Sequence, residues 1–214
     1  EMTLWFHLAA DTAQAENFAK TFSKNSLFSR TTPQRYANTK VFYNLIAGGV
    51  TPYTNLNDYV NQTTTNHLNA FEAHQLYGNI NFGDMPRGEF EVDANDIDNS
   101  TWGNNYYDAM LTEIRLFAET GDLKYVDAFQ PQNWHQRETA CFNTYDENDW
   151  LFGFSPSYSS YHRTIGHFEQ HYAEGLWYYY YLTGDERSKE IGLRAANSIV
   201  DRQQWGNDNV NCRM

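Results

Sequence analysis

Within Tyr158–Asp185, reading YSSYHRTIGHFEQHYAEGLWYYYYLTGD, His162 and Arg163 set an imidazole beside a guanidinium, a base next to a cation. Asn104, Asn105, Tyr106 and Tyr107 group amide donors with phenols. Such residues serve general acid–base chemistry: Arg and Asn neutralise an anion, and His and Tyr take and return a proton. The plain alternatives are that His162 hydrogen-bonds at a helix start, Arg163 is a surface charge, and Asn104, Asn105 and Tyr107 cap or pack. At about 100° per residue, His167, His171, Glu174 and Tyr178 share one helical face. The i, i+4, i+7 spacing of the first three suits a substrate-lining stripe, a metal site, or hydrogen-bonded core histidines. The HExxH pattern is absent, and neither a metal nor a cofactor is expected. Asp84, Glu89, Asp108 and Glu174 are the candidates for a carboxylate pair of the hydrolytic type, and Asp84 and Asp108 serve as readily in capping.

These residues need elements to position them. Leu182-Thr-Gly-Asp185 predicts a helix closed by Gly184 in the left-handed conformation, with Asp185 as N-cap of a following helix, Glu186–Arg202. Thr120-Gly121-Asp122 repeats the device: Trp102-Gly-Asn-Asn-Tyr-Tyr-Asp opens a helix running to Glu119, and a second follows over 123–135. Thr120 and Thr183 are 63 residues apart, the signature of repeated helical hairpins. Each hairpin then has a tight turn at one rim. Long loops, 78–101 and 136–161, serve the other, where chemistry is expected. Trp102 and Tyr161 would offer aromatic faces there, beside His135 and Arg87.

Residues 2–9 alternate and predict a strand, so that 1–10 reads as the end of a β domain or an edge strand, and 11–214 as the helical domain. Helices are expected over 12–24 and 55–76, a loop over 26–38, and a strand-like run over 77–84 closing at Gly83-Asp84. The segment 39–47 is ambiguous. Residues 85–101 form an acidic loop that lacks the regular ligand spacing of a calcium site.

The chain of 214 residues carries 15 Lys and Arg against 27 Asp and Glu, a formal charge of -12. Without a basic run, nucleic acid and anionic membranes are not expected partners. No apolar run approaches the ~20 residues of a membrane span. Aromatics make up 17%, with 16 Tyr and 6 Trp, suited to core packing and to stacking on sugar rings. Cys141 and Cys212 could pair or stay as thiols. Asn61 and Asn99 open glycosylation sequons.

NINFGD at 79–84, WGNNYYDAMLTEIRLFAETGDLKYV at 102–126 and HRTIGHFEQHYAEGLWYYYYLTGDERSKE at 162–190 together resemble the central α/α toroid of exo-rhamnogalacturonan lyase and YetA-like polysaccharide-degrading proteins. The opening MTLWFHLA before an Ala-rich helix resembles that family's passage from a β domain into the toroid. The resemblance implies a mainly α fold: stacked hairpins forming part of an (α/α) toroid, completed by further chain or self-association. It also implies a uronate-containing polysaccharide as partner and cleavage by β-elimination, and an extracellular, periplasmic or cell-surface setting is expected. For that reaction the residues themselves offer His162, Arg163, Tyr107 and His135 as the catalytic candidates. Asn104, Asn105, Arg87, Asp84, His167, His171, Glu174, Trp102 and Tyr161 would hold the polymer. Around 134–148 the chain, WHQRETACFNTYDEN, departs from the family pattern and keeps His135. Two further readings stay open: a glycoside hydrolase with paired carboxylates, and a non-catalytic carbohydrate-binding or assembly module.

Overall fold

The computed structural model describes residues 11–15, 30–49, 53–77, 82–84, 86–87, 101–102, 108–141 and 172–205. They are mainly helical. The strand expected at 2–9 lies outside them, as does the expected N-terminal helix beyond Ala15. Residues 12–15 do form a turn of helix, begun by the Asp11 carboxylate accepting the Gln14 amide at 2.8 Å.

The loop expected over 26–38 is corrected. Pro33–Thr39 is a helix, α1, in which the Thr32 hydroxyl accepts the Arg35 amide and Pro33 occupies the first turn. Pro there loses no hydrogen bond, because that amide has no partner inside the helix. Turns follow, with Lys40 and Tyr43 left-handed. Helix α2, Thr54–His74, matches the expectation and ends at left-handed Gln75. Phe82–Asp84 is a turn rather than the end of a strand, with Gly83 at φ 88.

Strands β1, Pro86–Arg87, and β2, Thr101–Trp102, pair antiparallel and clasp the two ends of the acidic loop. Trp102 therefore does not open a helix. Helix α3, Ala109–Thr120, starts seven residues after β2 ends, where left-handed Asp108 accepts the Leu111 amide in its carboxylate. Helix α4, Lys124–His135, continues as a π turn, Gln136–Ala140, where a loop was expected. Helix α5, Glu174–Thr183, and helix α6, Glu186–Trp205, form the second hairpin.

The 63-residue repeat holds to the atom. Gly121 and Gly184 both have φ 74. Their amides donate to Phe117 and Tyr180 at 2.7 Å in each case. The Thr120 and Thr183 hydroxyls donate one turn back, to Leu116 and Tyr179, and accept the amides of Asp122 and Asp185. Leading residues of the core are Met110, Ile114 and Phe117 of α3, Phe129 of α4, Leu176 and Tyr179 of α5, Ile191 of α6, and Phe42. Phe129 bridges the hairpins, edge-on to Phe117 at 6.0 Å and to Tyr179 at 5.9 Å.

Hairpin stacking departs from the expectation of two corners on one rim. Asn133, in the last turn of α4, exchanges hydrogen bonds with Ser188, in the first turn of α6. Arg137, in the π turn, pairs with Asp185 of the second corner. The neighbouring Gln136 donates to the Tyr172 carbonyl before α5 at 2.6 Å. Successive residues thus reach the two ends of α5, which lies across the end of α4. The second corner therefore sits at the loop end of the first hairpin, where polar contacts of α6 add to the packing of its Ile191.

Candidate functional site

The loop end of α4 brings together two of the candidate residues, Asp84 and His135. Gly83 makes this possible: a Cβ on it would lie 1.9 Å from the Pro131 carbonyl oxygen and 2.9 Å from the His135 Cβ. Only glycine admits that approach, and its left-handed φ is one that glycine adopts without strain. The corner brings Asp84 to His135, with Oδ2 3.6 Å from Nε2 and both residues 1% exposed. Phe82 packs edge-on against Trp134 at 5.9 Å and anchors the turn from the other side. A carboxylate beside an imidazole is an arrangement used where His takes a proton.

Asp108, at the start of α3, is 4% exposed. One carboxylate oxygen accepts the Leu111 amide at 3.3 Å and the other the Gly175 amide at 3.0 Å. It thereby joins the starts of α3 and α5 and fills orphan donors at both helix N-termini. Glu174, exposed, begins α5 one turn before buried Tyr178. Burial first, then Glu174 and Tyr43, hold that phenol far above its ordinary range.

Of the sequence candidates, the structure brings Asp84 and His135 together and sets Glu174 at the same end. Arg87 and Trp102 lie on adjacent rungs of the β1–β2 ladder, Arg87 three residues after Asp84 in the chain. His162, Arg163, Tyr107, Asn104, Asn105, Tyr161, His167 and His171 lie outside the described residues, as do Glu89, Cys212 and the sequon at Asn99. The continuous stripe from His167 to Tyr178 is corrected: Ala173, at φ -134, is not helical, and the helix carrying Glu174 begins there. Tyr178, expected on the polar side, packs on Phe42 at 5.1 Å in the core. Among the carboxylates proposed for hydrolysis, Asp108 is committed to two backbone amides and Asp84 to His135. Asn61 bonds Lys124 from within α2, and Cys141 is buried. Among the described residues, no cluster of three or more His, Cys, Asp or Glu could hold a metal, and no helix is long and apolar enough to cross a membrane.

Sequence reasoning missed a second polar cluster, between α2 and the first hairpin. Thr64 donates to Glu113 at 3.2 Å, and Gln132 faces His67 Nδ1 at 3.5 Å, all four residues being buried. Desolvation, opposed weakly by Thr64 and Lys124, pushes the Glu113 carboxyl up to about 8. Desolvation alone brings His67 down to about 4. The signal was present: Glu113 sits in the apolar register Met110, Ile114, Phe117, where an acid must be buried.

Compared with the models of known protein families and with curated proteins, the chain matches none.

Proposed function

We propose that the protein is a carbohydrate-active enzyme of the polysaccharide lyase type, working at the loop end of the first hairpin. The carrying observation is the Asp84–His135 pair, which joins two stretches singled out independently as site residues. In this reading Asp84 orients His135, which takes the proton α to a uronate carboxylate. The electrons form the new double bond, and the bond to the leaving oxygen breaks as that oxygen gains a proton from an acid such as Tyr107. Arg87, fixed by β1, supplies the cation that makes the proton acidic, with His162 and Arg163 as the second base–cation set. The arrangement favours elimination over paired-carboxylate hydrolysis because Asp84 and Asp108 already have partners. The toroid resemblance supports the same substrate class.

The burial of the pair favours a second reading. In it, Asp84–His135 fastens the corner onto α4, and the protein binds saccharide without cleaving it.

The test is incubation with uronate-containing polysaccharide. The lyase reading expects ultraviolet absorbance from the unsaturated product, reduced at least a hundredfold in His135→Gln and Asp84→Asn variants of unchanged helicity. Reducing ends without absorbance would establish hydrolysis instead. Binding without either product would establish the second reading.

A further inference from the structure

Helix α2 meets the first hairpin through a polar middle and an apolar end. Its residues 55–63 are exposed or half-buried, and the buried ones described in it are Thr64, His67, Ala70 and Phe71. Beneath the middle, Glu113 of α3 accepts the Thr64 hydroxyl and Gln132 of α4 faces His67. Glu113 Oε2, Gln132 Oε1 and His67 Nε2 find no partner among the described residues. A charge on Glu113 would be met by the Thr64 hydroxyl and by Lys124 of α4, which itself bonds Asn61 of α2. The Tyr125 phenol of α4 also faces Glu113 and gives no cation. His67 faces the Gln132 amide and the Phe71 ring, and burial alone acts on its imidazole. So thin a polar interface tolerates neutral groups and is weakened by a buried charge.

The apolar end reaches the candidate site. Phe71 lies 4.8 Å from His67 and edge-on to Phe82 at 6.2 Å, and Phe82 is edge-on to Trp134 of α4 at 5.9 Å. Phe82 stands two residues before Asp84. The corner that carries Asp84 to His135 is therefore walled by α4 on one side and by α2 on the other.

We propose that α2 is a pH-sensitive strap over this corner: ionisation of Glu113 releases it from the first hairpin, and its release loosens Asp84 from His135. The strap holds the pair whichever reaction the pair performs. Docked, Glu113 keeps its proton to about 8; released, it returns to 4.5, so rising pH favours release. On the acid side, protonation of Glu113 and of His67 act in opposite senses, so the strap answers to alkaline pH.

The test is native-state hydrogen exchange of the full chain, peptide by peptide, at pH 6.5 and 8, with intrinsic rates divided out. Amides of α2 should open ahead of those of α5 and α6 at both pH values, and roughly tenfold more often at pH 8. Glu113→Gln should abolish that step. Coupling is reciprocal, so Gly83→Ala, whose Cβ would push the corner off α4, should open α2 at least about fivefold more often at pH 6.5 and leave the pH step in place. Opening of α2 only together with α5 and α6, or a pH step that is missing or survives Glu113→Gln, overturns the strap. Exchange of α2 untouched by Gly83→Ala overturns its hold on Asp84. The pH step of the unmodified protein decides the first point even where Glu113→Gln does not fold, and Phe82→Leu can stand in for Gly83→Ala on the second.

Discussion

Asp108 and Gly175 touch across 67 residues, carboxylate oxygen to amide nitrogen at 3.0 Å. A Cβ on Gly175 would lie 2.5 Å from the other oxygen of Asp108 and 2.8 Å from the Met110 Cε. A carboxylate shared by two helix starts needs close backbone approach, and the glycine supplies it. The beginnings of α3 and α5 therefore meet, although the corners that end these helices do not share a rim.

Replacing Asp108 by Ala removes a cap and leaves a buried amide unpaired, at about 2–3 kcal/mol. In a chain of this size that lowers Tm by roughly 5–10 °C. Gly175→Ala, which leaves the carboxylate but forces it aside, should cost about 1–3 kcal/mol. Thermal unfolding followed by circular dichroism checks both. A Tm unchanged in Asp108→Ala would mean that the two helix starts are held by something else.

The corners were legible because their chemistry is local. Thr, Gly and Asp act within four residues of one another, so sequence spacing alone predicts the hydrogen bonds. Thr32-Pro33 was equally local and was misread: a Pro that marks a loop also marks the first turn of a helix, and the capping Thr decides between them. Trp102 and the π turn failed for a different reason. Pairing with 86–87 and the bonds of Gln136 to Tyr172 and Arg137 to Asp185 are long-range, and no local pattern announces them. The position of the second corner belongs with these, since Arg137 and Asp185 reveal their partnership only in three dimensions.

Gly184→Ala isolates the conformational term of the corner. No atom lies within 4 Å of a Cβ placed there, so the substitution costs only the left-handed strain, about 1–2 kcal/mol. Gly121→Ala meets only the Pro33 ring at an ordinary 3.7 Å and should cost the same within a few tenths of a kcal/mol. Chemical denaturation of the two variants makes the comparison. A large difference between them would show that the two corners are not energetically equivalent.

Gly83→Ala should behave otherwise. The obstruction is the Pro131 carbonyl, which is backbone and cannot swing away. The corner must lift from α4, carrying Asp84 off His135, at a cost of about 3 kcal/mol or more. Any cleavage activity should fall as far as in Asp84→Asn, with α3 and α5 still helical. Full activity in Gly83→Ala would separate the Asp84–His135 contact from function.

Glu113 and His67 set a pH dependence whose sign follows from their displacements. Unfolded, Glu113 loses its proton near 4.5; folded, it keeps it to about 8. Its contribution is complete below 4.5 and is lost as pH rises toward 8. His67 falls from 6.5 to about 4 on folding, so its contribution is complete above 6.5 and is lost as pH falls toward 4. Between 4.5 and 6.5 the slopes oppose and largely cancel. From 6.5 to 8 Glu113 acts alone, and stability should drop by about 2 kcal/mol. Glu113→Gln keeps the Thr64 donor satisfied without a titrating group, and should flatten that limb while leaving the acid limb of His67 in place. Urea titrations at pH 6.5 and 8 on both proteins read the slope directly. An alkaline loss that survives Glu113→Gln would assign it to other groups and show that α2 stays docked whatever the charge beneath it.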